Sequence, residues 1–100
     1  MEQPDLTIHQ PVRLKIMAAL KALPVGEPIE FVRLKAIVGA TEGNLGAHIA
    51  TLEEARYVTV EKDFVAKRPR TRVVMSKQGR RAYDDYLDYL REIIALSESG

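Results

Sequence analysis

Thr41-Glu42-Gly43-Asn44-Leu45-Gly46-Ala47-His48-Ile49-Ala50-Thr51-Leu52-Glu53-Glu54-Ala55 is the stretch on which the fold turns. Thr41 suits a helix N-cap, because its hydroxyl can accept from an unpaired N–H of the first turn. Glu42 suits the positive end of the helix dipole. At about 100° per residue, Leu45, Ile49 and Leu52 fall within roughly 60° of one another and form a buried stripe. The opposite side holds Gly43, Ala47, Ala50 and Glu54, with Asn44, His48 and Thr51 on one flank and Gly46 on the other. A surface helix normally turns long charged side chains to water, whereas this one turns out mostly glycine and alanine.

Working toward the N-terminus, Phe31 to Val38 reads as a short helix with Phe31, Leu34, Ile37 and Val38 on one side and Gly39 as its stop. Before it, Pro28-Ile29-Glu30 has room only for a short extended segment. Pro11 opens a first helix, since its missing N–H would be unpaired there in any case. Val12, Ile16, Leu20 and Leu23 recur at helical spacing until Pro24 and Gly26.

Toward the C-terminus, the period changes at Tyr57. Val58-Thr59-Val60-Glu61 alternates as a half-buried strand does, Lys67 to Arg70 reads as an exposed turn, and Thr71 to Met75 returns as a second strand. Ser76 then caps a long helix reaching about Ser97, in which Gly79 is a weak point. The expected fold is α+β and mostly helical, a winged helix-turn-helix with a two-stranded wing and a long C-terminal dimerisation helix. Residues 1–100 form one domain, with the helix-turn-helix and wing over 8–75 and the last helix over 76–97.

Net charge is only +1, but its distribution is uneven. Arg56 to Arg81 holds nine lysines and arginines against two acids, +7, while Ala82 to Gly100 holds five acids against one arginine, −4. A basic block followed by an acidic helix suggests one face for a polyanion and another for something else. The chain has no cysteine, which rules out disulfides and thiolate chemistry. With only His9 and His48 as histidines, no histidine metal site is expected. No cofactor is implied. No apolar run approaches the ~20 residues of a membrane span, and Met1 to Gln10 is too polar for a secretory signal, so the expected location is the cytoplasm.

Small residues on the outward side of the third helix would let its backbone approach a partner such as a DNA major groove, about 12 Å wide. Asn44 suits an adenine edge, and Ala47 or Thr51 a thymine methyl. The plainer reading is that Gly43, Ala47 and Ala50 face nothing. Lys67-Arg68-Pro69-Arg70-Thr71-Arg72 would make a cationic hairpin tip for phosphates or a narrow minor groove, against the alternative of a solvated turn. His48 fits either a phosphate or base contact or packing against Leu45 and Leu52. Arg13 reads as a structural ion-pair residue, with a phosphate contact as the lesser alternative.

Gln10-Pro11-Val12-Arg13-Leu14-Lys15-Ile16, Glu42 to Ile49, Leu52 to Ala55, Arg68 to Val73 and Met75 to Ala82 together resemble winged-helix regulators related to the MarR and ArsR families. The resemblance runs over roughly residues 8 to 90. It implies a third helix in the major groove (Thr41, Gly43, Asn44, Ala47, His48, Thr51), a wing on backbone or minor groove (Lys67, Arg68, Arg70, Arg72) and a two-fold dimer. Ala47 and Ala50 stand where such proteins often carry a cation, which shifts affinity toward the wing. Arg56 stands where a glycine usually ends the recognition helix; it adds a phosphate contact or marks a different helix end.

The last helix has two apolar edges, Tyr83, Leu87, Leu90 and Ile94 on one and Tyr86, Tyr89, Ile93 and Leu96 on the other. One can pack on the domain. The second, joined by Leu6 and Ile8, is expected to meet another protomer. Two recognition helices about 34 Å apart would then require a palindromic site in double-stranded DNA. Four phosphate contacts per protomer would give a slope of log affinity on log salt of roughly −7. A winged-helix protein–protein interaction module is the competing function. An enzyme is not expected, for want of a phosphate loop, metal cluster or nucleophile–base pair.

Overall fold

The computed structural model describes residues 3–99; Met1, Glu2 and Gly100, the ends of the expected domain, lie outside the described residues. α1 (Pro11–Lys21) is capped by Gln10, whose side chain accepts from the Arg13 N–H at 2.8 Å. β1 (Ile29–Glu30) leads directly into α2 (Phe31–Val38), which stops at Gly39 in the left-handed conformation at φ 70°. After one residue, Thr41 starts α3 (Glu42–Glu54), its hydroxyl accepting from the Asn44 N–H at 3.2 Å. β2 (Val58–Val65) and β3 (Arg68–Met75) form an antiparallel hairpin, and α4 (Lys77–Glu98) ends the chain.

The end of α3 explains the arginine at position 56. Tyr57 N–H bonds to the Leu52 carbonyl at 2.9 Å while Arg56 sits at φ 67°, the left-handed closing turn that glycine usually occupies. The helix therefore ends in a left-handed turn at Arg56, with a side chain accepted there at some strain.

The hairpin is longer than its sequence pattern indicates. Its strands run to Val65 and from Arg68, so only Ala66 and Lys67 form the turn, both at positive φ (51° and 67°). The expected exposed turn at Lys67 to Arg70 is corrected accordingly: from Arg68 onward those residues belong to β3. Pro69 is tolerated inside the strand for a geometric reason. Val65 and Arg68 flank the two-residue turn, so Pro69 and its partner Phe64 form the next, non-hydrogen-bonded pair. The missing N–H of Pro69 would point toward the side where β1 pairs, and β1 reaches only Arg72 and Val73. The sheet is three-stranded, in the order β1-β3-β2, with only the β2–β3 hairpin projecting.

Ile16, Met17 and Leu20 of α1 lie at the centre of the core, against Leu34, Leu45, Leu52 and Val73. Each such side chain contributes roughly 1.5–3 kcal/mol on leaving water. At the head of α4, Ser76 accepts from the Gly79 N–H at 2.9 Å and donates to the Arg56 carbonyl at 2.7 Å. Gly79 is no weak point in this helix. A Cβ there would stand 2.1 Å from the Tyr57 carbonyl oxygen, so glycine is what allows α4 to seat on the chain between α3 and the hairpin. The molecule measures 59 × 25 × 22 Å, elongated by the hairpin and by α4. Three helices on a small sheet, followed by a projecting hairpin and a long helix, make a winged-helix fold.

Candidate nucleic-acid interface

The exposed side of α3 carries Thr41, Gly43, Asn44, Ala47 and Thr51, and His48 beside them is half-buried. Among the described residues nothing fills the space beside Gly43 and Gly46, where an added Cβ would meet no atom within 4 Å. Thr51 donates its hydroxyl to the Ala47 carbonyl at 3.2 Å. Across its length α3 holds three glutamates and no lysine or arginine. Its surface is smooth and mildly acidic, so a cationic contact to phosphate has to come from elsewhere.

His48 is fixed from the α1 side. The Arg13 guanidinium lies 3.0 Å from His48 Nδ1. A guanidinium is donor only, so Nδ1 accepts and the neutral ring carries its proton on Nε2. Arg13 also donates to the Thr7 carbonyl at 2.5 Å and the Leu6 carbonyl at 3.3 Å. The ion pair expected of Arg13 is replaced by these contacts, which join the N-terminal arm, α1 and α3 through one side chain.

The other flank of α3 faces the hairpin. Glu42, Gly46, Ile49, Ala50 and Glu53 line a groove of about 350 Å³ with Phe31, Val60, Lys62 and Thr71. Residues two apart in a strand share a face, so the face carrying Val60, Lys62 and Phe64 is turned toward α3. The opposite face pairs Glu61 with Arg72 and Asp63 with Arg70. Arg70 grips Asp63 through two hydrogen bonds, 2.9 and 2.6 Å, and Arg72 lies 3.0 Å from Glu61 and 3.8 Å from Asp63. The hydrogen bond from Arg70 holds the Asp63 carboxyl below its usual range, and the same bond raises the guanidinium.

The hairpin divides the four cations expected to form one projecting cluster. Arg70 and Arg72 lie along the strands in an acid–arginine ladder. Lys67 at the turn and Arg68 beside it are exposed and have no ion-pair partner among the described residues. The ladder was readable in principle: with the turn set at Ala66-Lys67, Glu61 and Asp63 fall opposite Arg72 and Arg70. Pro69 diverted that reading. The hairpin also exposes Phe64 at 74% and Val65 at 48%, which the sequence pattern had not singled out.

The four α4 residues expected to meet a second copy separate as well. Tyr86 is buried at 3% within its own chain, its hydroxyl 2.7 Å from His9 Nδ1 and its ring 5.9 Å from that of Tyr89. Burial raises the Tyr86 hydroxyl pKa. The free edge foreseen at Tyr86 is therefore filled, because the N-terminal arm folds back over it. Tyr89 is half-buried, and Ile93, Ile94 and Leu96 are exposed at 38%, 55% and 62%. Leu6 of the arm is exposed and Ile8 is in the core. Asp5 anchors the arm by accepting from the Tyr57 hydroxyl at 2.5 Å; burial, that bond and the carboxylate charge push the Tyr57 pKa up to about 12. No helix among the described residues is long and apolar enough to cross a membrane.

The chain is similar to known proteins in sequence and fold. An uncharacterized protein of Methanocaldococcus jannaschii is 36% identical over 88 residues, 88% of this chain and 89% of the relative. A transcriptional regulator homologue from Pyrococcus horikoshii superposes with a TM-score of 0.81 at 31% identity, over 91% of this chain and 87% of that one. A MarR-family transcriptional regulator from Silicibacter pomeroyi shares the fold at a TM-score of 0.71 and 19% identity, with 95% of this chain spanning 61% of it. The family model described as winged helix DNA-binding domain matches residues 12–94. The chain belongs to the winged helix DNA-binding domain family.

Proposed function

We propose that the protein is a sequence-specific regulator of transcription that binds double-stranded DNA as a homodimer, in the cytoplasm, without catalytic activity of its own. The observation that carries this reading is the bare outward face of α3 beside a wing tip whose two cations have no acidic partner among the described residues. In this reading Asn44, Ala47 and Thr51 meet base edges in the major groove. His48, its tautomer set by Arg13, offers Nε2–H to a phosphate. Lys62, Lys67 and Arg68 supply the wing's charge, while Arg70 and Arg72 stiffen the hairpin through Asp63 and Glu61.

The exposed half of α4, with Ile93, Ile94 and Leu96, joins the same surface of a second copy, and Tyr86 supports Tyr89 from behind. A two-fold pair of recognition helices calls for a palindromic site. The acidic α3, without a single cation, favours a second reading, in which this helix holds another protein. Electrophoretic retardation of a mixed-sequence duplex at low salt, combined with solution mass, separates the two. The DNA reading requires retardation and a mass of two chains. A dimer that leaves the duplex unshifted at low salt would favour the protein-binding module.

A further inference from the structure

The end of the wing is a phenylalanine in water. Phe64 is 74% exposed, and its cross-strand partner Pro69 is exposed on the same face. Val65, also exposed, precedes the turn. Nothing in the core requires these residues, since the hairpin's buried positions are Val58, Val73 and Met75 at its base. The turn is not optimised for hairpin stability either. Ala66 and Lys67 both occupy positive φ, where asparagine and glycine would be easier. The apex carries a charge, and an aromatic ring stands in the second pair below it.

Charge identifies the occupant. The acid–arginine ladder neutralises Arg70 and Arg72 along the body of the hairpin, so among the described residues the unpaired positive charge of the wing lies at Lys62, on the face of the ring, and at Lys67 and Arg68 at the tip. A surface anionic on both sides with a gap for one apolar ring is the complement of that face. A DNA minor groove offers it: two phosphate rows flank stacked bases, and a single apolar side chain, rather than the whole hairpin, can wedge between base steps there. A protein partner would need roughly 800 Å² per side, far more than Phe64, Val65 and Pro69 present. The same hairpin face that carries Phe64 is the one turned toward α3, so ring and helix are directed to one duplex.

We infer that Phe64 is a wedge that enters the minor groove beside the site occupied by α3, loosens a base step and bends the duplex, with Lys67 and Arg68 on the flanking phosphates. Apolar side chains inserted in this way kink DNA by about 20–90°, most cheaply at flexible pyrimidine–purine steps. Specificity would then include steps that no polar side chain touches. The inference rests on the DNA-binding reading above.

The test compares the full chain with Phe64→Ala and Phe64→Leu on an end-labelled duplex rich in TA steps, reading affinity by retardation and bending by energy transfer between the labelled ends. The position is exposed, so unchanged thermal melting confirms that the variants fold. The expected result is a bent duplex with the native chain and with Phe64→Leu, and with Phe64→Ala about tenfold weaker binding to a straight one. Binding without bending by the native chain, or equal affinity and bending by Phe64→Ala, overturns the wedge while leaving the DNA reading intact. No retardation by the native chain overturns both. A change of solution mass in Phe64→Ala assigns the tip to contact between copies and also overturns the wedge.

Discussion

The uncovered surfaces of α3 and α4 are chemically opposite. The outward side of α3 is glycine, alanine and short polar side chains, whereas the far half of α4 exposes Ile93, Ile94 and Leu96. Both helices begin alike, with a hydroxyl cap and a glycine three or fewer residues later. At Gly79 the added Cβ has no room; at Gly43 it has nothing but space. The difference teaches that a glycine's meaning lies in what stands opposite it. Gly79 serves the packing of the chain on itself, while Gly43 leaves room for something outside the chain. Large apolar side chains in water suit a second protein surface; small ones suit a rigid surface that must come close.

The comparison breaks most visibly if α4 is altered. Ile94→Glu combined with Leu96→Glu should give a chain of one-protomer mass by sedimentation, with melting nearly unchanged because both positions are exposed. Loss of the linked second site should weaken duplex binding by about 10²–10⁴-fold. Next in size is Gly79→Ala, expected to lower stability by about 1–3 kcal/mol or more in denaturant unfolding, because the methyl collides with backbone.

The N-terminal arm provides a third, smaller effect. Tyr57 has its pKa raised from 10 to about 12, so the neutral phenol is favoured in the folded chain. The stability it contributes is complete below about pH 10 and is lost as pH rises toward 12. Partial solvent exposure reduces it to about 1 kcal/mol. Tyr57→Phe should remove that high-pH loss and cost about 1 kcal/mol at neutral pH through the missing bond to Asp5. The smallest change in stability sharpens the comparison best. Gly43→Ala should raise stability by about 0.5–1 kcal/mol and, by thickening the face of α3, weaken duplex binding. Stabilisation with unchanged binding would show that the bare face meets nothing.

Local signals were legible wherever one residue controls one piece of backbone. Thr41 and Ser76 mark helix starts, Pro11 opens α1, and the stripe Leu45-Ile49-Leu52 orients α3. Contacts between distant segments were not legible. The arm that covers Tyr86 starts 77 residues away at His9, and helical spacing cannot tell a face covered by an arm from a free one. Arg13 reads as an ion-pair former because its acceptors, two carbonyls and an imidazole, have no signature in sequence. The course of β3 through Pro69 was not legible either, since proline's effect on a strand depends on which side of the ladder its nitrogen faces. Setting the turn two residues earlier converts a cluster of four cations into a ladder and a pair.

That revision gives the sharpest test of the whole account. Affinity for duplex DNA should be measured across a range of salt concentrations with the native chain. Three unpaired wing cations per protomer (Lys62, Lys67 and Arg68), six in the dimer, require log affinity to fall with log salt at a slope of about −5. An affinity indifferent to salt, or no measurable binding at low salt, would contradict a wing that holds phosphate.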